Sequence, residues 1–224
     1  MKPIALAALV LATAISASAA HAQSTKYPPL RDYLMPRDSE IALAKTAAPK
    51  NIASRATIEI LTSSGFTRVH DGDNGFVCVV MRGWSAPTYT PAQFRDFVYD
   101  ATIRAPICFD SVAAKSVLPY YKLRTALGMQ GKAPEQIAEG VHAAYASGKL
   151  SKRDAVSFAY MWSPQQMLGQ GIGTWHPHMM VFIPYYKNEL LGSNALGGPN
   201  PEVTDDGGTP FAVVVIPVDR GFEK

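Results

Sequence analysis

The 224-residue chain has only two cysteines, and charged residues make up only 17% of it. No apolar run reaches the ~20 residues that a membrane-spanning helix needs. No block of Lys and Arg stands out, and the formal charge is +3, one unit of which comes from Lys2. The electrostatic footprint of a nucleic-acid binder, or of a protein held to an anionic membrane surface, is therefore missing. A hydrophobic content of 47% excludes a disordered tail protein. There is no Cys-x-x-Cys pair of the kind a thiol–disulfide exchanger uses. Nucleophile-elbow, zincin, serine–lysine and phosphate-loop patterns are also missing. Gly169-Gln170-Gly171-Ile172-Gly173 has the wrong glycine register for a dinucleotide fingerprint, and Trp175-His176-Pro177 follows it where a helix is required.

What is present begins with a leader. Lys2, an apolar run from Ile4 to Ile15 and a small-residue stretch ending at Ala20-His21-Ala22 read as a cleaved secretory signal over residues 1–22. The expected mature chain begins near Gln23, has no integral membrane segment, and is periplasmic or secreted from a bacterium. Cys78 and Cys108 then mature where disulfides persist, and the expectation is that they pair.

Residues 23–38, with Pro28, Pro29 and Pro36, read as an extended lead-in, and 39–224 as a single globular domain. Ser39 reads as the cap of a helix that Pro49 ends, with Ile41, Ala44 and Ala48 inward and Glu40 placed to favour the first turn. Residues 56–61 alternate as a half-buried strand, 66–69 return, and 76–82 are rich in β-branched residues, which suggests an antiparallel meander. Asp71-Gly72-Asp73-Asn74-Gly75 marks the turn between the last two. Thr90-Pro91 opens a helix. Further helices are expected over 118–127, with Gly128 beyond the end, and over 134–146. Strands return at 156–162, 179–183 and 211–216, with a long Gly- and Pro-rich stretch at 185–210 that such a domain would ordinarily keep for function. Strands, helices and strands in that order predict an α+β fold: a mainly antiparallel sheet, a helical middle segment and one disulfide.

The residues that could carry chemistry cluster at Trp175-His176-Pro177-His178. Two histidines two apart on extended chain project to one side and can share a metal ion. Zinc would need a third donor from His70, Asp71, Asp73 or Asp110; copper would favour the nearby Met180. The competing reading makes His178 a buried strand residue bonded to a backbone carbonyl. Asp71 and Asp73 lack the spacing of a calcium loop, and Asp73 with Asn74 more simply fixes a turn. Aromatics with polar tips, among them Trp84, Tyr89, Trp175 and Tyr185, could line a pocket for a small organic ligand.

Glu40-Ile41-Ala42-Leu43-Ala44 with Ala47-Ala48-Pro49, Asn74-Gly75-Phe76-Val77-Cys78, Tyr160-Met161-Trp162-Ser163, Pro177-His178-Met179-Met180 and Ile216-Pro217-Val218 together resemble an uncharacterised family of secreted bacterial proteins. That resemblance implies one coherent exported domain and carries no activity, cofactor or catalytic residue with it. Three readings of function follow. The first is a small-ligand-binding module of the bacterial envelope, its pocket built from 169–178, 185–210 and the 71–75 turn, with Trp175, His178, Asp73 and Asn74 as binding residues. The second is a zinc- or copper-dependent hydrolase or metal-binding protein using His176 and His178, with Asp71 or Asp73 as third ligand or general base. The third is an envelope structural or interaction protein.

Overall fold

The computed structural model describes residues 26–86, 97–151, 153, 155–170, 172–192, 200–205 and 207–218. Eight strands form one sheet: β1 (Thr57–Thr62), β2 (Gly65–His70), β3 (Val77–Met81), β4 (Ala105–Phe109), β5 (Ser157–Met161), β6 (His178–Phe182), β7 (Glu202–Asp205) and β8 (Val213–Pro217). Their spatial order is β2-β1-β3-β4-β5-β6-β8-β7. Every pairing is antiparallel except β1 with β3. The helices are α1 (Arg37–Ala44), α2 (Lys50–Ala53), α3 (Ala113–Ser116), α4 (Leu118–Met129) and α5 (Pro134–Ala146). The α+β architecture with a helical middle segment is as the sequence predicts.

The meander is not. Residues 71–76 do not turn back along β2 but pass around the start of β1. Asp73 N–H donates to Arg55 O, and Thr57 N–H to Phe76 O. β3 is thereby delivered to the other side of β1 and runs parallel to it. Gly72 permits the passage, because a Cβ there would stand 2.3 Å from the backbone at Arg55, Ala56 and Thr57.

Strand alternation divides the core in two. Val79, Met81, Phe109, Ala159, Met180, Phe182, Val213 and Val215 face α4 and α5, and pack on Tyr120, Tyr121, Val141 and Ala144. Ile58, Ile60, Cys78, Val80 and Cys108 face the other way, under Leu43 and Ala44 of α1 and Ala47, Ala48 and Ala53. Both faces of β1 are covered, so it is buried rather than half-buried; Glu59, on the α4 side, is neutralised by Lys122 at 2.6 Å. Strand β5 departs the opposite way, since Phe158 on its second face is 40% exposed.

Several local expectations shift for identifiable reasons. Helix α1 starts at Arg37 after Pro36, with Ser39 inside it, and ends at Ala44, so Ala48 lies beyond it and Pro49 precedes α2 instead of ending the first helix. Proline fits both places, since its fixed φ suits a helix start. Gly128 lies within α4, where a Cβ would come 2.2 Å from the Trp84 ring. Close packing, not helix termination, accounts for it. The 185–210 stretch holds a 3-10 turn at Asn188–Leu190 and strand β7. The helix expected from Thr90-Pro91 falls outside the described residues. No helix among the described residues is long and apolar enough to cross a membrane.

Two interactions fasten the layers. Cys78 and Cys108 are directly paired across β3 and β4, fully buried and bonded as a disulfide. Glu40 and Arg82, also fully buried, form an ion pair at 2.7 Å. Glu40 Oε1 accepts Leu61 N–H at 2.9 Å, Arg82 Nε donates to Tyr33 O at 2.7 Å, and Nη1 donates to Val80 O. Burial lowers the Arg82 pKa, and Glu40 opposes that shift.

Two stability predictions follow. Replacing both cysteines by alanine opens a loop with a sequence separation of 30 and is expected to cost about 3.5 kcal/mol in urea unfolding. Glu40→Ala strands the Arg82 charge and is expected to cost about 3–5 kcal/mol, whereas the Glu40→Leu/Arg82→Met pair recovers most of that loss. A loss below about 1 kcal/mol for Glu40→Ala would show that the pair does not fasten α1 to the sheet.

Candidate functional site

Two of the three segments expected to form one pocket are held apart by strand direction. Antiparallel pairing through β4 and β5 makes β3 and β6 run oppositely. The 71–75 turn, which leads into β3, and the 175–178 segment, which leads into β6, therefore lie at opposite ends of the sheet. Residues 183–192 leave from the far end of β6, away from 175–178, whereas β7 begins at Glu202 opposite Val215, which itself pairs with Met180.

Each proposed residue has a local structural partner. Asn74 donates to Ile52 O at 2.8 Å and accepts Phe76 N–H at 3.0 Å, fixing the turn. Asp73 is held by Arg55 at 2.8 Å, and that hydrogen bond lowers its carboxyl pKa. Asp71 pairs with Arg68 at 3.3 Å. Around them Ser54, Arg55, His70 and Gly72 complete an open depression of about 240 Å³. Asp110 accepts Ala113 N–H at 2.6 Å and Phe158 N–H at 3.1 Å, bracing α3 against β5.

The histidine pair divides. His176 is exposed and precedes the strand; His178 is 3% exposed and begins it. His178 Nδ1 donates to His176 O at 2.7 Å, and Nε2 lies 3.2 Å from Met161 Sδ. Trp175 packs on its ring at 4.7 Å. Gln166 Nε2 donates to the carbonyls of both Trp175 and His176, at 2.8 and 2.9 Å, and so fixes this segment. No group of three His, Cys, Asp or Glu among the described residues could hold a metal ion. Trp84 is likewise a core residue, stacked on Tyr33 at 4.0 Å.

A different place carries the unspent polar chemistry. Arg153 lies on the connection from α5 to β5 and is 8% exposed. Its Cζ sits 5.0 Å from the Tyr120 ring centroid and 5.5 Å from those of Phe182 and Phe211. Nε, Nη1 and Nη2 are buried, with no partner in hydrogen-bond geometry among the described residues. Tyr145 Oη and Ser157 Oγ are buried in the same condition. Tyr145 packs on Phe211 at 4.9 Å, and Ser157 stands beside Phe182 as its cross-strand pair. Burial raises the Tyr145 pKa; the charge of Arg153 and the approach of its guanidinium to the phenol offset part of the rise.

The cage is assembled from distant parts of the chain. Tyr120 comes from the first turn of α4, Tyr145 from the end of α5, Phe182 from the end of β6, and Phe211 from the approach to β8. In sequence Arg153 follows Lys149 and Lys152 and reads as part of a solvated charged loop. The one local hint is the aromatic spacing on α4 and α5, which ordinary core packing also produces. Compared with family models, with curated proteins and with solved structures, the chain matches none of them.

His178 generates a pH prediction. Burial pushes its pKa from 6.5 down to about 4, so the unfolded chain takes up this proton first as the medium acidifies. The stability that neutral His178 confers is complete above about pH 6.5 and is withdrawn toward pH 4, by about 3 kcal/mol in all. In urea unfolding over that range, wild type should lose stability more steeply than His178→Gln by one proton's worth of slope. Equal slopes would mean that His178 titrates as in water.

Proposed function

We propose that this chain is an exported small-ligand-binding module whose ligand is an anion held at the Arg153 cage. One observation supports the reading: a guanidinium nine-tenths buried with, among the described residues, no partner in hydrogen-bond geometry at any nitrogen, near two hydroxyls in the same state. Taking a charge out of water costs several kcal/mol after relaxation. Three ring faces return roughly 0.5–2 kcal/mol each. An apolar side chain of similar length would fill the same space without that cost. A few converging polar groups in an aromatic-walled site are what a small-ligand pocket supplies. Guanidinium is a donor only, so the complement it lacks is an acceptor, and an anion supplies it best.

The leader pattern of residues 1–22 supports export to a bacterial periplasm or beyond. The buried Cys78–Cys108 disulfide fits an oxidising compartment. A zinc or copper hydrolase at His176 and His178 has less in its favour, because both ring nitrogens of His178 already face protein atoms.

Arg153→Met tests the reading, since it keeps a long stem among the rings and removes the charge. The unliganded variant is expected to be more stable than wild type by about 1–4 kcal/mol. Saturating acetate or phosphate should raise the melting temperature of wild type and leave that of the variant unchanged. A destabilised variant, with no anion effect on wild type, would make Arg153 a structural anchor and end the reading.

A further inference from the structure

The geometry points to a narrower ligand class: we infer that the cage takes a monocarboxylate with an apolar body, its carboxylate bridged by the Arg153 fork and the hydroxyls of Tyr145 and Ser157. This rests on the reading of the cage as a ligand site and adds to it the charge, shape and polarity of the occupant.

Charge comes first. Among the described residues, the buried groups without hydrogen bonds around Phe182 and Phe211 are the Arg153 guanidinium and the neutral hydroxyls of Tyr145 and Ser157. The other nearby guanidinium, Arg124, is 5.2 Å from the Tyr120 ring; it donates to Tyr120 Oη and, at 3.3 Å, to Trp84 O. A single carboxylate suffices to pair with the Arg153 guanidinium. A phosphate or sulfate dianion brings more charge and a larger hydration shell to be stripped among aromatic rings, where desolvating an ion is most costly. Shape comes second. The planar fork of arginine matches the two oxygens of a carboxylate, and each of those oxygens retains a lone pair for a hydroxyl donor.

Polarity comes third. Tyr120, Phe182 and Phe211 surround the guanidinium, and Tyr120 and Phe211 are themselves stacked at 5.4 Å. Such walls favour a hydrocarbon or ring attached to the carboxylate over a second polar group. Tyr145 is half-buried and His142, 6.3 Å from Phe211, is exposed, so the rings on this side lie close to the surface.

The test is isothermal titration of the mature chain with four probes: benzoate, hexanoate, inorganic phosphate and sulfate. Benzoate and hexanoate are expected to bind at least about tenfold more tightly than either inorganic anion. Arg153→Lys keeps the charge and loses the fork, and should weaken benzoate about tenfold. Tyr145→Phe and Ser157→Ala should each weaken it by a smaller factor, with unfolding still cooperative in all three variants. Phosphate or sulfate binding as well as benzoate, in an Arg153-dependent way, would overturn the carboxylate assignment and leave the anion site standing. Binding of none of the four probes to wild type would overturn both. Benzoate binding unaffected by Arg153→Lys and Arg153→Met would place the carboxylate elsewhere and overturn the inference.

Discussion

The ion pair between Glu40 and Arg82 determines how residues 33–44 join the sheet. Its two side chains satisfy each other and three backbone groups: the Leu61 amide and the carbonyls of Tyr33 and Val80. Through those bonds the lead-in, α1, β1 and β3 become one cooperative unit. A buried pair of this kind adds little net stability over a well-packed apolar pair, but it is intolerant of losing one member. It therefore acts as a register device. α1 can cover Ile58, Ile60 and the disulfide only in the position that places Glu40 under Arg82.

The same pair gives a standard within this chain for what a structurally buried guanidinium looks like. Arg82 has a carboxylate and two carbonyls; Arg153, nearly as deep, has three ring faces and no acceptor. Ring faces attract a cation but accept no N–H with the strength of an oxygen, so the donors of Arg153 remain unspent. The contrast between two residues of one type in one fold makes ligand binding a better account of Arg153 than packing does.

Elements with a strong local pattern were legible in the sequence. The 3.6-residue repeat of Ile137, Val141 and Ala144 located α5, the β-branched run located β3, and the two cysteines found each other. Long-range contacts were not legible. Glu40 reads as a favourable first-turn acid because helix rules see only its own helix, and nothing local announces Arg82, 42 residues away. The parallel β1–β3 pair was missed because Asp71 to Gly75 has the composition of a hairpin turn, whereas its backbone is spent on Arg55 and Thr57. The histidine pair was read by strand alternation, which applies only where both residues lie in the strand. His176 lies outside β6, and Gln166, itself fully buried, holds its carbonyl.

Arg153 was hidden for a related reason. Its surroundings are supplied by two helix ends, a strand end and a strand approach, each unremarkable in its own sequence window. That arrangement has a functional logic. The sheet interior is fixed by register, so a change there disturbs pairing on both sides. Arg153 lies outside the strands, on the connection from α5 to β5, and a costly residue there does not disturb the pairing of β5 or β6. Aromatic rings set at the ends of rigid elements hold their positions, while the one charged group comes from the connection between them. Binding chemistry placed there is supported by the sheet, and its cost in stability stays local to the cage.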